Sequence, residues 1–336
     1  MLVPCNDLIG TVTVHDHAPA ITTHRDVLYV PTGRGKRDEG LFDRDGKLIE
    51  DAGYFRSHSG RVSLYAPFNA LPHDRFGYAP DEHRYVFLGA LTGHYGHFIT
   101  GSLARFWALD TVDRRTTRLV VLNHGPLSDL LAVPWIRDVL QAFGVDEDAL
   151  VSFARPTRFR EIIVPAPAFE EGHFAHRIFG AVCGAAGRRI VRPGEKDGKP
   201  VFLTKMHQRS GVSRIDNEDR LCHRLDQAGF EIVAPEALSF ADQVRLFVDR
   251  PIVAGIAGSA LHTAIFAPGR VKYDLHTVPQ RLTNQALLDG ANGGRTIALY
   301  PRDGIDQIPA HPGFAATYTL HDPVRTAEEL LRHMDV

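Results

Sequence analysis

One stretch of the chain places small residues at a turn between a predicted strand and a predicted helix. Residues 253–263 read Val-Ala-Gly-Ile-Ala-Gly-Ser-Ala-Leu-His-Thr, in which Gly255 and Gly258 permit tight geometry and the close approach of a ligand. The free N–H groups of the following helix, which begins with Ser259 and Ala260, favour an anion, and Ser259 could cap the helix or bind phosphate. The spacing matches neither GxGxxG, a Walker loop nor the GxSxG elbow. Anion binding and a purely structural turn both stay open.

A second stretch concentrates positive charge after a predicted strand. Lys205, Arg209 and Arg214 fall within ten residues of predicted loop. This loop begins at the carboxyl end of strand 201–204, where open α/β sheets bind their ligands. Three cations can bind a diphosphate through charge-assisted hydrogen bonds. Because arginine is common in this chain, a solvated loop is the alternative.

Two further stretches contain histidines. His94 and His97 are three residues apart, which could suit a metal ion, but no third ligand lies nearby. His97 starts a predicted helix after a strand and a glycine-flanked loop, so it is placed for a catalytic base or a substrate contact, with a capping or core histidine as the alternative. Glu170 and Glu171 precede His173, and we expect these carboxylates to compensate the dipole at a helix start.

Alternating strands and helices must position these stretches. The first 65 residues read as short strands and turns, with an Asp-Gly turn at residues 45–46. From Tyr85 onward, strands alternate with single helices, which predicts parallel sheets covered on both faces. The predicted strands are 85–90, 118–122, 161–164, 201–204, 230–233, 251–255 and 271–274. The predicted helices are 97–109, 127–143, 169–187, 217–228, 240–249, 259–266 and 323–334.

The predicted fold class is therefore α/β, with two sheets. Residues 192–200 are rich in turn-forming and charged residues and are the best candidate for a linker. We expect an amino-terminal domain of residues 1–190, a carboxy-terminal domain of residues 191–310 and a helical tail of residues 311–336.

Composition narrows the class of protein. The chain has 336 residues, of which 44% are hydrophobic, enough for two cores of ordinary size or one large core. A formal net charge of −2 excludes a generically basic nucleic-acid binder, so no nucleic-acid partner is expected. Three scattered cysteines argue against a disulfide scaffold and a cysteine zinc site. Neither a secretory signal nor a run of about 18 apolar residues is present, so we expect a soluble, cytoplasmic protein.

Three blocks of the sequence, in the same order, resemble glycosyltransferase family 61, the capsular-polysaccharide-type group. The first block, 95–107, leads from Tyr-Gly-His-Phe to Arg-Phe-Trp. The second, 201–218, is a strand ending in a basic residue, followed by arginine and then Asn-Glu. The third, 229–261, contains Gly-Phe, Pro-Glu, Ser-Phe-x-x-Gln and a glycine-rich part. The chain departs from the family at Ala257, where many members have histidine, and at Lys205, which replaces the usual arginine.

The resemblance implies a GT-B fold, two Rossmann-like domains facing across a cleft, with the nucleotide sugar on the carboxy-terminal one. It implies an inverting, metal-independent transfer of a hexosyl or pentosyl group, without a cofactor, from a nucleotide-diphosphate sugar to a hydroxyl. The acceptor would be a glycan or lipid-linked glycan of a surface polysaccharide or glycolipid, which allows peripheral contact with the inner face of a membrane. A non-catalytic nucleotide- or glycan-binding relative is the alternative, and a nucleotide-sugar epimerase is a third, less favoured option.

The resemblance also assigns roles to the candidate residues. A base removes the proton of the acceptor, while cations and helix N–H groups stabilise the departing diphosphate. His97 is the expected base, with Glu170 and His173 as reserves, and Glu236, in a loop after a strand, is expected to bind ribose hydroxyls. The expected donor-binding residues are Lys205, Arg209, Arg214, Glu236, Gly255, Gly258, Ser259 and Ala260, and no residue is assigned to a metal.

Overall fold

The structure of the protein is a computed structural model that describes residues 1–33, 39–65, 75–192 and 198–336. The chain falls into two compact units. The amino-terminal unit spans Gly10–Ala186, and the carboxy-terminal unit combines Met1–Ile9 with Gly187–Val336. Both units contain sheets and helices, so the predicted α/β class is confirmed. Residues 193–197 of the predicted linker lie outside the described residues.

Strands and helices follow one another along the described part of the chain. The strands are β1 (Leu2–Pro4), β2 (Asp7–Ile9), β3 (Thr13–His15), β4 (Ile21–Val30), β5 (Gly40–Phe42), β6 (Phe55–Arg56), β7 (Val62–Ser63), β8 (Arg84–Leu91), β9 (Thr117–Asn123), β10 (Leu150–Val151), β11 (Thr157–Pro165), β12 (Phe169–Glu170), β13 (Phe174–His176), β14 (Val201–Leu203), β15 (Gly211–Ile215), β16 (Glu231–Val233), β17 (Val253–Ile256), β18 (Val271–Leu275), β19 (Gln280–Leu282), β20 (Arg295–Pro301), β21 (Ile305–Ile308) and β22 (Phe314–Leu320). The α-helices are α1 (Tyr95–Thr100), α2 (Leu127–Leu131), α3 (Pro134–Ala142), α4 (Arg177–Ile190), α5 (Glu218–Gln227), α6 (Phe240–Asp249), α7 (Asn284–Asn292) and α8 (Pro323–His333). Short 3-10 helices cover Glu50–Ala52, Ser102–Thr111, Glu147–Ala149, Pro235–Ala237 and Ser259–Phe266.

A six-stranded sheet forms the centre of the amino-terminal unit, in the order β10-β9-β8-β11-β4-β5. Its first four strands are parallel, and β4 pairs antiparallel with both β11 and β5. Apolar side chains of neighbouring strands, among them Phe87, Val120 and Phe159, pack into one buried cluster. A smaller sheet, β12-β13-β3, lies in the same unit and carries the hairpin that holds Glu170.

The carboxy-terminal unit contains a second six-stranded sheet, in the order β1-β20-β18-β17-β14-β16. All its pairs are parallel except that of β1 with β20. Counted along the chain, the parallel strands lie in the order 2-1-3-4-5, so the winding direction reverses between β14 and β17. Helices α5 and α8 pack around Phe202 on one face, and α6 with the 3-10 helix Ser259–Phe266 packs around Leu203 on the other. Both faces are therefore covered, as a parallel sheet requires.

The Asp-Gly turn is confirmed, but two predicted helices are interrupted. Gly46 has a φ of +75°, and Phe42 bridges antiparallel to Leu48 across the turn. Of the predicted helix 97–109, only the start is α-helical, and the rest is a 3-10 helix. The predicted helix 127–143 is divided, because Pro134 occupies the first turn of α3 and cannot continue the helix before it.

The predicted helix 169–187 is wrong in its first part. Residues Phe169–Glu170 and Phe174–His176 form an antiparallel hairpin, and the helix begins only after it. Gly172 in the turn has a φ of +78°, which glycine adopts without strain. Glu170 and Glu171 therefore do not begin a helix, and the interpretation that they compensate a helix dipole is wrong.

The predicted loop after Lys205 contains a strand. Gly211–Ile215 pairs in parallel with Phe314–Leu320 in a sheet completed by β21. The predicted tail of residues 311–336 therefore contributes a strand as well as α8. In the described part of the chain, no helix combines the length and the hydrophobicity that crossing a bilayer demands.

A buried ion pair joins α7 to the carboxy-terminal sheet. Lys272 on β18 is 0% exposed, and its Nζ lies 2.5 Å from Asp289 Oδ1 on α7. The other oxygen of Asp289 accepts a hydrogen bond from Thr296 Oγ1 on β20. The negative charge of Asp289 is therefore compensated by Lys272, a cation without access to water.

We expect Lys272→Met to lower the free energy of unfolding by about 3–5 kcal/mol, because it leaves a buried carboxylate without its cation. Urea unfolding followed by circular dichroism measures this loss. Arg245→Met breaks the exposed ion pair between Arg245 and Asp242 and should cost no more than about 1 kcal/mol. Equal losses in the two variants would contradict the prediction.

Candidate active site

Lys205 lies at the reversal of the carboxy-terminal sheet. It follows β14, and its Nζ donates a hydrogen bond to the backbone oxygen of Ala257, which follows the neighbouring strand β17. Open α/β sheets bind ligands in the crevice at such a reversal, outside the carboxyl ends of the strands. An ammonium group has three N–H donors, and only one of those of Lys205 has an acceptor among the described residues.

Two buried carboxylates determine the charge around Lys205. Burial lowers the pKa of Lys205, and the negative charges of Asp274 and Glu218 oppose this effect. Glu218 Oε1 accepts hydrogen bonds from the Lys205 backbone N–H at 2.9 Å and from Thr204 Oγ1 at 2.6 Å. Burial raises the pKa of Glu218. One oxygen of each carboxylate, Glu218 Oε2 and Asp274 Oδ1, is buried without a hydrogen-bond partner among the described residues.

The two glycines of this turn have different neighbours. A Cβ at Gly258 would lie 2.9 Å from both Cε and Nζ of Lys205, so glycine lets the lysine side chain cross the backbone. A Cβ at Gly255 would lie 2.9 Å from the Cβ of Leu203 and 3.0 Å from its backbone oxygen, on the adjacent strand. Gly258 therefore leaves space for the side chain of Lys205, whereas Gly255 lets β17 pack closely against Leu203 on β14.

Ser259 and Ala260 begin the 3-10 helix Ser259–Phe266, and both are half-buried. The N-cap position belongs to Gly258, whose backbone oxygen accepts a hydrogen bond from the N–H of Leu261 at 3.2 Å. Of the two roles open to Ser259 from the sequence, the helix cap is therefore wrong, and the hydrogen bond to phosphate stays a prediction. The first N–H groups of a helix have no partner within it, and here they are those of Ser259 and Ala260.

The other predicted donor residues are more dispersed. Arg209 is exposed in the turn before β15. Arg214 lies on β15, with its guanidinium carbon 5.4 Å from the ring centroid of Phe314 and its Nη2 3.8 Å from Asp216 Oδ1. Glu236 is exposed in the 3-10 turn after β16, the strand beside β14. The structure thus connects Lys205 directly with the turn after β17, and it places the other three on neighbouring segments.

A cleft of about 640 Å³ runs beside α5 and the edge strand β16. Its lining combines apolar side chains with three carboxylates, one lysine and one histidine: Met206, Cys222, Phe230, Ile232, Asp219, Asp226, Glu231, Lys199 and His223. Acidic groups repel phosphate, so this cleft is a poorer candidate for an anion than the turn that Lys205 covers.

In the amino-terminal unit, a buried carboxylate holds His97. Glu171 is 2% exposed, and its Oε1 accepts hydrogen bonds from His97 Nδ1 at 2.9 Å and from Thr100 Oγ1 at 2.7 Å. Its Oε2 lies 3.2 Å from Arg56 Nε and 3.9 Å from His58 Nε2. Burial alone would raise the pKa of Glu171, but the neighbouring His58, the hydrogen bond from His97 and the charge of Arg56 outweigh burial and hold this pKa well below its usual range.

His94 stabilises the start of helix α1, on which His97 lies. The backbone N–H of His97 donates to His94 Nδ1 at 3.4 Å, and the two rings stack with their centroids 4.5 Å apart. Burial, followed by the charge of His97, lowers the pKa of His94. Among the described residues, no group of three His, Cys, Asp or Glu side chains is arranged to hold a metal ion.

Glu170 anchors a second, separate set of side chains. Its carboxylate accepts hydrogen bonds from Ser57 Oγ at 2.6 Å, Arg61 Nε at 3.3 Å and His173 Nδ1 at 3.1 Å. The side chain of Glu170 is 2% exposed and that of His173 is 45% exposed. The two adjacent carboxylates, Glu170 and Glu171, therefore bind different histidines.

The residues around His97 are not evident from the sequence. Glu171 follows Glu170 directly and was predicted only as part of a helix start. Arg56 and His58 precede Glu171 by more than a hundred residues, and no local pattern connects them with it. The signal that was present is the Glu-Glu-Gly sequence, which is typical of a turn as much as of a helix start.

Comparison with known protein families finds a match to one family. The family model described as Glycosyltransferase 61 matches residues 95–272, which is more than half of the chain. The matched range includes His97, Glu171 and Lys205. No curated protein matches the chain.

The two glycines give a stability prediction. Gly255→Ala should lower the free energy of unfolding by about 1–3 kcal/mol, because the added methyl overlaps the side chain and backbone of Leu203. Gly258→Ala should change it by less than about 0.5 kcal/mol, because the end of the Lys205 side chain can move aside. Urea unfolding of both variants measures the difference, and a larger loss for Gly258→Ala would refute this division of roles.

Proposed function

The chain belongs to glycosyltransferase family 61, and we propose that it moves a sugar from a nucleotide-diphosphate donor to a hydroxyl of a surface polysaccharide or glycolipid acceptor, with inversion. We propose a GT-B fold as part of this function, and the six-stranded α/β sheet in each unit supports it. The acceptor would be a glycan or a lipid-linked glycan, handled on the cytoplasmic side of a membrane.

The observation that carries the proposal is the position of Lys205 between β14 and β17. When the sugar leaves, negative charge grows on the diphosphate, and preorganised donors lower the barrier most where charge develops. Lys205 offers two N–H groups at this place, and the backbone N–H groups of Ser259 and Ala260 begin the adjacent 3-10 helix. In the proposal, these groups stabilise the leaving diphosphate without a metal ion.

The remaining donor residues take secondary parts in the proposal. Exposed Arg209 is a second cation for the diphosphate, and Glu236 accepts hydrogen bonds from ribose hydroxyls. Arg214 acts at longer range, because its guanidinium already contacts Phe314 and Asp216. Gly255 contributes by letting the two strands at the reversal pack closely.

His97 is the proposed base. Its Nδ1 is held by Glu171, and its side chain is 34% exposed, so a substrate can reach the ring. As the acceptor oxygen bonds to the anomeric carbon, its proton passes to Nε2 of His97, while the bond from the sugar to the diphosphate breaks and its electron pair leaves with the diphosphate. We propose no catalytic part for the reserve candidates Glu170 and His173, because the Glu170 carboxylate already accepts hydrogen bonds from Ser57, Arg61 and His173 itself.

We expect UDP or GDP to bind the protein in buffer containing EDTA, as measured by isothermal titration calorimetry. Lys205→Gln should weaken the affinity about 10- to 100-fold, the effect of losing one or two charge-assisted hydrogen bonds. Lys47→Gln, at an exposed turn of the amino-terminal unit, is the control and should leave the affinity unchanged. If the unmodified protein binds neither nucleotide, the donor site is refuted.

We expect His97→Ala to lower kcat about 10²- to 10⁴-fold, because proton removal by a positioned base supplies that factor. The assay is nucleotide release from UDP- and GDP-sugars with glycan acceptors, and the Kd for the nucleotide should not change. His333→Ala, at the exposed end of α8, is the control. Unchanged turnover in His97→Ala would refute the base, whereas nucleotide binding without any turnover by the unmodified protein would favour the non-catalytic relative.

A further inference from the structure

We infer that Glu171 is a positioning residue that keeps His97 in the one tautomer able to act as a base. This inference rests on the proposed function, in which His97 takes the proton of the acceptor. It concerns the hydrogen bond of 2.9 Å between His97 Nδ1 and Glu171 Oε1.

The protonation of Glu171 decides which atom donates in this bond. Its hydrogen bonds and the charge of Arg56 hold its pKa well below the usual range, so the carboxylate is ionised at neutral pH. An ionised carboxylate only accepts hydrogen bonds, so the proton between the two groups belongs to His97 Nδ1. A neutral imidazole carries a single ring proton, and Nε2 therefore keeps a free lone pair. This tautomer can take a proton from an acceptor hydroxyl.

The carboxylate of Glu171 is itself fixed by its neighbours. Thr100 donates to the same oxygen that His97 contacts, and the hydroxyl of Tyr54 lies 3.4 Å from that oxygen. Arg56 approaches the other oxygen, and a guanidinium group can only donate. Both oxygens are therefore engaged, and the carboxylate cannot rotate away from His97 without losing a charged partner.

The adjacent carboxylate provides a matched comparison. Glu170 is equally buried, but the hydrogen bonds of its oxygens go to Ser57, Arg61 and His173. Replacing either carboxylate by an amide removes one buried negative charge from the same turn. Only the replacement at Glu171 changes the partner of His97.

An amide at residue 171 has one accepting and one donating end. Arg56 is a cation that can only donate, whereas Thr100 and a neutral His97 can each accept, so we expect the amide oxygen of Glu171→Gln to face Arg56 and its NH2 group to face His97. The hydroxyl of Thr100 can rotate and accept, because it also has Gly96 O as an acceptor for its proton. His97 Nδ1 then has to accept, its proton moves to Nε2, and the base is lost.

We expect Glu171→Gln to lower kcat about 10³- to 10⁴-fold, the effect of holding a catalytic histidine in the wrong tautomer. The Kd for UDP or GDP should stay unchanged. Glu170→Gln should lower kcat less than tenfold, and nucleotide release from UDP- and GDP-sugars measures both. Equal losses of kcat in the two variants would show that Glu171 acts only through the stability of the turn, and would overturn the inference.

The tautomer itself can be measured without activity. Nitrogen-15 NMR of the ring of His97 at a pH where it is neutral should show the proton on Nδ1 in the unmodified protein and on Nε2 in Glu171→Gln. A proton on Nε2 in the unmodified protein overturns the inference even if no variant folds. A tautomer that changes in Glu171→Gln while kcat does not would instead refute His97 as the base, which separates the failure of the proposed function from the failure of the inference.

Discussion

Two adjacent carboxylates without access to water shape the amino-terminal unit. An ion taken out of water costs several kcal/mol unless charges and hydrogen bonds replace the solvent. Glu170 and Glu171 obtain these replacements from two distant parts of the chain, the segment of residues 54–61 and helix α1. The orientation of His97 is thus one result of satisfying Glu171.

A buried arginine stabilises this arrangement through hydrogen bonds to the backbone. Arg105 is 3% exposed and donates hydrogen bonds to the backbone oxygens of Asp51, Gly53 and Pro165. These carbonyls lie on the segment that leads into β6 and at the end of β11. Because the guanidinium binds backbone rather than a carboxylate, it joins the two segments whatever side chains they carry. Arg105 therefore sets the path of the chain that brings Arg56 to Glu171.

From β14 to β18, the strands of the large carboxy-terminal sheet and the helices between them follow from the sequence, whereas α7 and β20 were not predicted. The predicted helix 240–249 has the same limits as α6, because its apolar spacing and its Ser239 cap are both local signals. The chain also places Lys205 at the end of a strand, as its pattern predicts. The reversal of the winding direction beside Lys205 cannot be predicted from a local pattern, because it depends on β14 pairing with both β16 and β17.

What the sequence could not show has two physical causes, which are local patterns that suit two structures and pairing between distant segments. The hairpin at Gly172 looks like a helix start, because its Glu-Glu sequence suits both. The strand Gly211–Ile215 looks like a loop, because its partner Phe314–Leu320 lies a hundred residues away. The partners of Glu171 are equally remote, so a candidate base was visible in the sequence while the group that orients it was not.

The first strand of the chain has a consequence for the order of folding. Leu2 pairs with Pro301 across β1 and β20, and its side chain lies in the core of the carboxy-terminal unit. During translation this strand leaves the ribosome well before its partner, and at roughly 5–20 residues per second the interval is about 15–60 s. The edge of that sheet closes only after β20 has been made, so β1 must wait as an unpaired strand while the amino-terminal unit, encoded between the two, is being made.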